Sequence, residues 1–136
     1  MNGLNKRDAA LKTTDALPNG AATAYSTPID LSKGAFGDFV ALVEFLLTCP
    51  ALNVTQQPDA KTLTYAIETA IDLAFTSPIA LYPGVVVQTG AGGVGCLAAT
   101  FRFRAPATVS RYVRVKAVGS ATGNSSTASM NLEVLS

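Results

Sequence analysis

Residues 99–118 read ATFRFRAPATVSRYVRVKAV, and apolar and polar side chains alternate on both sides of the proline in this stretch. Before the proline, Phe101 and Phe103 alternate with two arginines; after it, valines and an alanine alternate with tyrosine, arginine and lysine. A period of two puts every second side chain on the same face of an extended strand. We therefore predict two β-strands here, each with one apolar face that needs a core and one charged face that meets solvent.

Similar short runs follow one another after Tyr25, separated by Gly, Pro, Ser and Asn. The segment 61–75 fits a helical spacing of apolar residues as well as an alternating one, but its Thr, Tyr and Ile residues favour a strand as far as Ala70. We expect eight strands in all, the others lying at 27–31, 38–48, 79–82, 85–89 and 126–135. Short strands with closely spaced turn residues are typical of an all-β protein, either an antiparallel β-sandwich or a jelly roll.

The length of 136 residues corresponds to one domain. Residues 1–24 are polar, with a turn signal at Pro18-Asn19-Gly20 and room for a short helix near residues 7–12, and they offer little apolar surface to bury. We expect residues 1–24 to form an extended N-terminal arm, either loose or laid on a neighbouring subunit. Residues 25–136 are then the β-sandwich domain.

Residues 90–95 read GAGGVG and match the G-x-G-x-x-G pattern of a dinucleotide-binding turn. That turn works only where a helix follows the glycines and an acidic residue lies roughly 20 positions further on. Here an alternating segment and Pro106 follow, and the next acidic residue is Glu133. We therefore interpret the glycines as a mobile loop between two strands, and we expect no cofactor.

The composition argues against catalysis. The chain has no histidine, and its two cysteines, Cys49 and Cys96, form no C-x-x-C pair. We interpret both as buried apolar residues of a protein made in a reducing compartment, and we expect no metal site. No histidine is available to activate a nucleophile such as Ser77 or Cys49, and no Trp lines a cleft around the carboxylates of Glu68 and Asp72, so we expect no enzyme.

The sequence also gives no sign of a membrane protein. No apolar stretch is long enough to cross a bilayer, and the first 20 residues lack the continuous apolar core of a secretory signal. We expect synthesis in the cytosol and no membrane partner.

Charge is sparse and unevenly distributed. Only 14% of the residues are charged, which is a low fraction for a protein that must stay soluble without a partner. Residues 99–136 carry five basic side chains and one acidic one. If the two strands of the opening stretch pair, these cations form one basic stripe, made of Arg102, Arg104, Arg111, Arg114 and Lys116.

Such a stripe has three interpretations. The stripe is suited to bind nucleic-acid phosphates, although Tyr112 is the only aromatic residue among these cations that is available to stack on a base. It suits an acidic protein partner at least as well. The same cations can instead pair within the sheet, with Glu68 or Glu133 as cross-strand partners.

Three segments, in chain order, carry a resemblance to a known family. They are STPIDL at residues 26–31, IETAIDLAFTSPIALY at residues 67–82 and SRYVRVKAV at residues 110–118, and a Ser/Thr-rich turn and a final strand follow them. In this order they resemble the jelly-roll capsid cement proteins, also called decoration proteins, of tailed bacteriophages. The likeness covers about residues 24 to 135.

The resemblance implies a structural virion protein without catalysis or a small-molecule substrate, made in the host cytoplasm and bound to the outside of the phage head. Dimers or trimers of it would bridge neighbouring capsomers of the major capsid protein. We expect the arm and the arginine-bearing face to make these contacts, through Lys6, Arg7, Lys12, Arg102, Arg104, Arg111 and Arg114. Two alternatives remain: another virion β module, such as a tail, head-fibre or receptor-binding component, and a nucleic-acid-binding module.

Overall fold

The computed structural model of the protein describes residues 12–31, 44–106, 108–120 and 123–135. Within these residues the chain is all β and contains no helix. The strands are β1 (Lys12–Ala16), β2 (Thr23–Tyr25), β3 (Ile29–Asp30), β4 (Glu44–Cys49), β5 (Thr62–Ala70), β6 (Ile79–Thr89), β7 (Ala99–Arg104), β8 (Tyr112–Gly119) and β9 (Ser129–Leu135).

These strands form two antiparallel sheets. Sheet one has the order β1-β9-β4-β7, and sheet two has the order β2-β8-β5-β6, with β3 also paired to β8. β5 and β6 form a hairpin within sheet two, whereas β6 to β7, β7 to β8 and β8 to β9 each cross to the other sheet. The prediction of an all-β chain with antiparallel sheets is confirmed, and the pair of sheets is consistent with a β-sandwich.

The core consists of alternate side chains from both sheets. The opening stretch behaves as its period predicts, because β8 buries Val113, Val115 and Ala117 while its intervening residues lie nearer to solvent. Burial of each large apolar side chain contributes about 1.5–3 kcal/mol. The fully buried side chains include Ile29, Phe45, Leu47, Leu63, Tyr65, Ile67, Val113, Val115, Met130 and Leu132.

An aromatic cluster joins the two sheets along one side. Phe103 of β7 stacks on Phe45 of β4 with 4.9 Å between the ring centroids. Tyr82 of β6 meets Phe103 at 5.3 Å and donates its hydroxyl proton to the carbonyl oxygen of Arg104 at 2.9 Å. Since β6 belongs to sheet two and β7 to sheet one, these contacts hold together two strands that share no backbone ladder.

Residues 12–24 do not form the predicted arm. β1 pairs with β9 over five residues and β2 pairs with β8, so this part of the segment belongs to both sheets. Asp15 accepts hydrogen bonds from the backbone N–H and the hydroxyl of Thr27, at 2.9 and 2.8 Å, and Leu17 is buried. The prediction was wrong here because a polar segment gains ladder hydrogen bonds along one side when it pairs at a sheet edge, without burying much apolar surface. Residues 1–11, with most of the predicted short helix, lie outside the described residues.

β6 is one strand where the sequence predicts two. Pro83 and Gly84 were expected to separate the strands 79–82 and 85–89, but the pairing of β6 with β5 continues on both sides of them, with shifts of register next to Ile67. A proline is tolerated because β6 lies at the edge of sheet two, and Gly84 supplies the positive φ of 59° that the irregularity requires.

The other predicted strands are present with shifted bounds. The segment that fitted both helix and strand is β5, which confirms the choice made from its β-branched residues. The strand predicted at 27–31 is shortened to β3, and the strand predicted at 126–135 begins only at Ser129. Of the strand predicted at 38–48, the part before Glu44 lies outside the described residues, and the rest is β4, central in sheet one.

Replacing Leu47 of β4 by Ala should lower the free energy of unfolding by about 2–5 kcal/mol. The loss of buried apolar surface and the cavity that remains both destabilise the folded state. The matched control Leu97→Ala removes the same atoms from a side chain that is 86% exposed, and should change stability by no more than about 0.5 kcal/mol. Urea unfolding followed by circular dichroism measures both, and equal effects in the two variants would contradict the core position of Leu47.

Candidate functional site

The cations of the predicted stripe lie in two different sheets. Arg102 and Arg104 are on β7, which pairs with β4 in sheet one, whereas Arg114 and Lys116 are on β8 in sheet two. The prediction of one continuous basic stripe is therefore wrong. Alternation in a sequence predicts which side chains share a face, but not which strands are neighbours, and the chain crosses between the sheets after β7, burying Ala105 and Val109 on the way.

Arg114 is enclosed by aromatic rings and a carboxylate. Its guanidinium carbon lies 3.8 Å from the ring centroid of Tyr25 and 4.0 Å from that of Phe75. Its Nη2 atom lies 3.0 Å from Oε1 of Glu68, and the two side chains are only 14% and 10% exposed. Glu68 is thus confirmed as a partner within the sheet. Because Phe75 belongs to the turn after β5, Arg114 fixes that turn to the outer face of sheet two.

Lys116 and Arg111 complete the charge pairs of sheet two. The Nζ atom of Lys116 lies 4.0 Å from Oε2 of Glu68. Arg111, just before β8, makes a two-pronged contact with Asp30, with Nε to Oδ1 at 2.8 Å and Nη2 to Oδ2 at 2.9 Å. This hydrogen bonding and the charge of Asp30 raise the pKa of Arg111. The contact holds β3 against the start of β8 at an exposed position.

Three predicted contact residues do come together, on the outer face of sheet one. The pairing registers place Lys12, Glu133, Leu46 and Arg102 in one row across all four strands. Leu135, Glu44 and Arg104 form the next row, and Arg102 Nη1 reaches Glu44 Oε1 at 3.1 Å. We call these two rows the charged face. It carries three cations and two carboxylates, and it is the part of the molecule that best fits the predicted contact surface.

The cations of the charged face differ in how they are held. Arg104 lies directly opposite Glu44, yet within the described part of the chain only Arg102 forms an ion pair with that carboxylate. Neither Lys12 nor Glu133 takes part in an ion pair among the residues that the structure describes. Lys6 and Arg7, the other predicted contacts of the arm, lie outside those residues. Exposed ion pairs contribute little to stability, so these cations can form ion pairs with a partner at little cost to the fold.

The glycine loop connects β6 to β7, and a strand follows it instead of a helix. Two of its glycines are required by close backbone contacts: a Cβ atom at Gly90 would collide with the carbonyl of Pro58, and one at Gly95 with the carbonyl of Leu52. Asp59 also accepts a hydrogen bond from the N–H of Gly93 at 2.8 Å. The glycines therefore let this loop pack on the segment 52–59, which is a structural reason for the pattern.

A buried polar network, which the sequence analysis missed, fixes the other end of the same loop. Gln88 accepts the hydroxyl proton of Tyr65 at 2.7 Å and donates to the carbonyl oxygens of Pro50 and Leu97 at 2.8 and 3.0 Å. Cys49 lies beside this network. Burial raises the pKa of its thiol to about 12, against the smaller lowering effect of a hydrogen bond with Tyr65. Cys49 is therefore a protonated core residue at neutral pH, as the sequence predicts, while Cys96 is half-buried.

Exposed apolar side chains at both ends of the sandwich were also missed. Ile71, Leu73 and Ile79 surround the turn between β5 and β6. At the opposite end of β5, Val94 and Leu97 of the glycine loop are exposed, as is Val54 of the segment on which this loop packs. In the sequence these residues appear as parts of apolar runs, and only the structure shows that they point out of the core.

The described residues hold no group of three His, Cys, Asp or Glu side chains suited to a metal ion. They also contain no helix of the length and hydropathy needed to span a membrane. Known proteins add no identification: no protein-family model matches the chain, and no curated protein matches it. The site is therefore defined by its geometry.

Replacing Arg114 by Ala should lower the free energy of unfolding by about 3 kcal/mol, because Glu68 would keep a mostly buried charge without its principal partner. Arg104→Ala is the matched control and should have an effect within about 0.5 kcal/mol, since Arg104 is exposed. Denaturant unfolding gives both values. Comparable effects of the two substitutions would show that Arg114 is not a structural residue.

Proposed function

We propose that the protein is a cement protein of a tailed-phage head: a structural virion protein without catalysis that binds the outer capsid surface and bridges neighbouring capsomers of the major capsid protein. The resemblance of three segments to that family supports the proposal. So does the strand order of the two sheets, which is the single observation that carries it.

The strand order favours a jelly roll over other sandwiches. A jelly roll combines two Greek keys, so that its strands alternate between two four-stranded sheets. With β2 and β3 taken as one interrupted strand, the described residues form eight strands, and among these only β5 and β6 are successive strands of the same sheet. The family resemblance in the sequence implies the same arrangement.

The charged face is the surface that we assign to the capsid. It offers both signs of charge and the half-buried Leu46 in a fixed pattern, which suits a protein partner of complementary charge. The face lies on four paired strands, two of them central to sheet one, so the backbone positions beneath it are fixed. Since a shell presents many equivalent sites, modest affinity at each one is sufficient for collective stabilisation.

Of the two alternatives, the nucleic-acid-binding module has the weaker support. That alternative was based on a continuous stripe of cations, but these cations lie in different sheets. In addition, Arg102, Arg111 and Arg114 are each bonded to a carboxylate. A tail, head-fibre or receptor-binding module would use the same fold and differs from a cement protein mainly in copy number and position.

Purified particles of the phage that encodes the protein should contain it at a copy number close to that of the major capsid protein or a simple fraction of it. Quantitative mass spectrometry measures the ratio, and cryo-electron microscopy should place the chain on the outer head surface. A few copies at a tail or vertex would favour the alternative module, and absence from the particles would overturn the proposal.

Reversing charge on the charged face should weaken attachment to heads. We expect the double substitution Arg102→Glu and Arg104→Glu to lower binding to heads that lack the protein by at least about tenfold, since like charges would replace attraction across the interface. Arg111→Glu makes one such charge reversal at an exposed site beside sheet two and serves as the control for added negative charge away from the charged face. Co-sedimentation with heads gives the affinities, and equal losses at both sites would exclude the charged face as the contact.

A further inference from the structure

One edge strand lacks the features that usually protect a sheet edge. Edge strands avoid pairing with other chains by being short or by carrying charges. β1 carries Lys12 and Asp15, β7 carries Arg102 and Arg104, and the edge made by β2 and β3 is only three and two residues long. β6, in contrast, has eleven residues, IALYPGVVVQT, without a single charge. Pro83 and the adjacent irregularity protect its first half only.

Among the residues that the structure describes, the second half of β6 has no backbone partner on its outward side. Thr62 uses both its N–H and its carbonyl oxygen toward Ser120, on the β8 side of β5. Because successive residues of a strand face opposite edges, Leu63 then faces β6, and its partner Gln88 faces β5. The hydrogen bond from the N–H of Gly90 to the carbonyl of Lys61 agrees with this pattern. Val87 and Thr89 therefore direct their N–H and carbonyl groups away from the sheet, and the same alternation extends to Val85.

We propose that this edge pairs with the β6 edge of a second copy of the chain, antiparallel and about a twofold axis at Val87. In that register Val87 lies opposite its own counterpart and Val85 lies opposite Thr89, so that the three outward-facing residues of each copy exchange about six hydrogen bonds. The two copies of sheet two then form one continuous sheet.

The side chains of β6 fit this partner. Val87, which is 54% exposed, gains an apolar neighbour, and no pair of like charges meets across the axis because the strand has none. Self-pairing of the other edges would bring Arg102 and Arg104, or Lys12 and Asp15, beside their own copies. The inference concerns the isolated protein and does not rest on the proposed attachment to a phage head.

Light scattering after size-exclusion chromatography tests the proposal on the full chain. The protein should have about twice its monomer mass of 14.0 kDa, and Val87→Lys should reduce the mass to that of the monomer by placing two ammonium groups at the axis. Val118→Lys is the matched control, because Val118 is also exposed on sheet two but lies on the interior strand β8. A monomeric or trimeric parent protein, or a dimer that Val87→Lys leaves intact, would overturn the proposal.

Amide hydrogen exchange of the parent protein gives a test that does not depend on the folding of a variant. On going from dilute to concentrated samples, exchange of the Val87 and Thr89 amides should slow by at least about tenfold, while those of Val86 and Gln88, bonded to β5, should stay protected throughout. Equal protection of all four amides at every concentration would count against edge pairing, whatever happens to head binding.

Discussion

Contact between the inner faces of the two sheets determines where the other side chains of this protein lie. Once Leu63, Ile67, Val113 and Val115 of sheet two meet Phe45, Leu47, Met130 and Leu132 of sheet one, the intervening side chains point outward by geometry alone. The rows on the outer faces, the edges and the turns are consequences of that contact. A one-residue slip of any central strand would exchange core and surface, so the register is strongly specified.

On the outer faces, the same geometry produces two different surfaces. Sheet two is partly covered: the Phe75 turn and Tyr25 enclose Arg114, which is bonded to Glu68, and the result is a fixed internal contact. No described segment covers the outer face of sheet one, where the charged face presents Arg102, Arg104 and Lys12 with two carboxylates. A partner that binds sheet one meets charges whose positions are set by four paired strands, which favours specific orientation over raw affinity.

The sequence predicted most of this fold because alternation is a local property. β5, β7 and β8 follow from their period of two and from β-branched residues, and the choice of strand over helix for β5 was correct. Neighbour relations between strands are not local, so the basic stripe was wrong although Arg102, Arg104 and Arg114 were placed on the outward sides of their strands. β1 was missed because Thr13 and Thr14 give little apolar signal, and its stability comes from the ladder with β9. The network around Gln88 depends on carbonyl groups of two distant loops, which no sequence pattern reveals.

The pairing of β1 with β9 has a consequence for biosynthesis. A ribosome produces β1 more than a hundred residues before the strand that β1 pairs with, and β4 too has β9 as a neighbour on one side. Sheet one is therefore incomplete until β9 has left the exit tunnel. Until then, the side of β4 that pairs with β9 has no partner strand. Such long-range closure makes folding slow and leaves a window in which chaperones, or another nascent chain, compete for the vacant position.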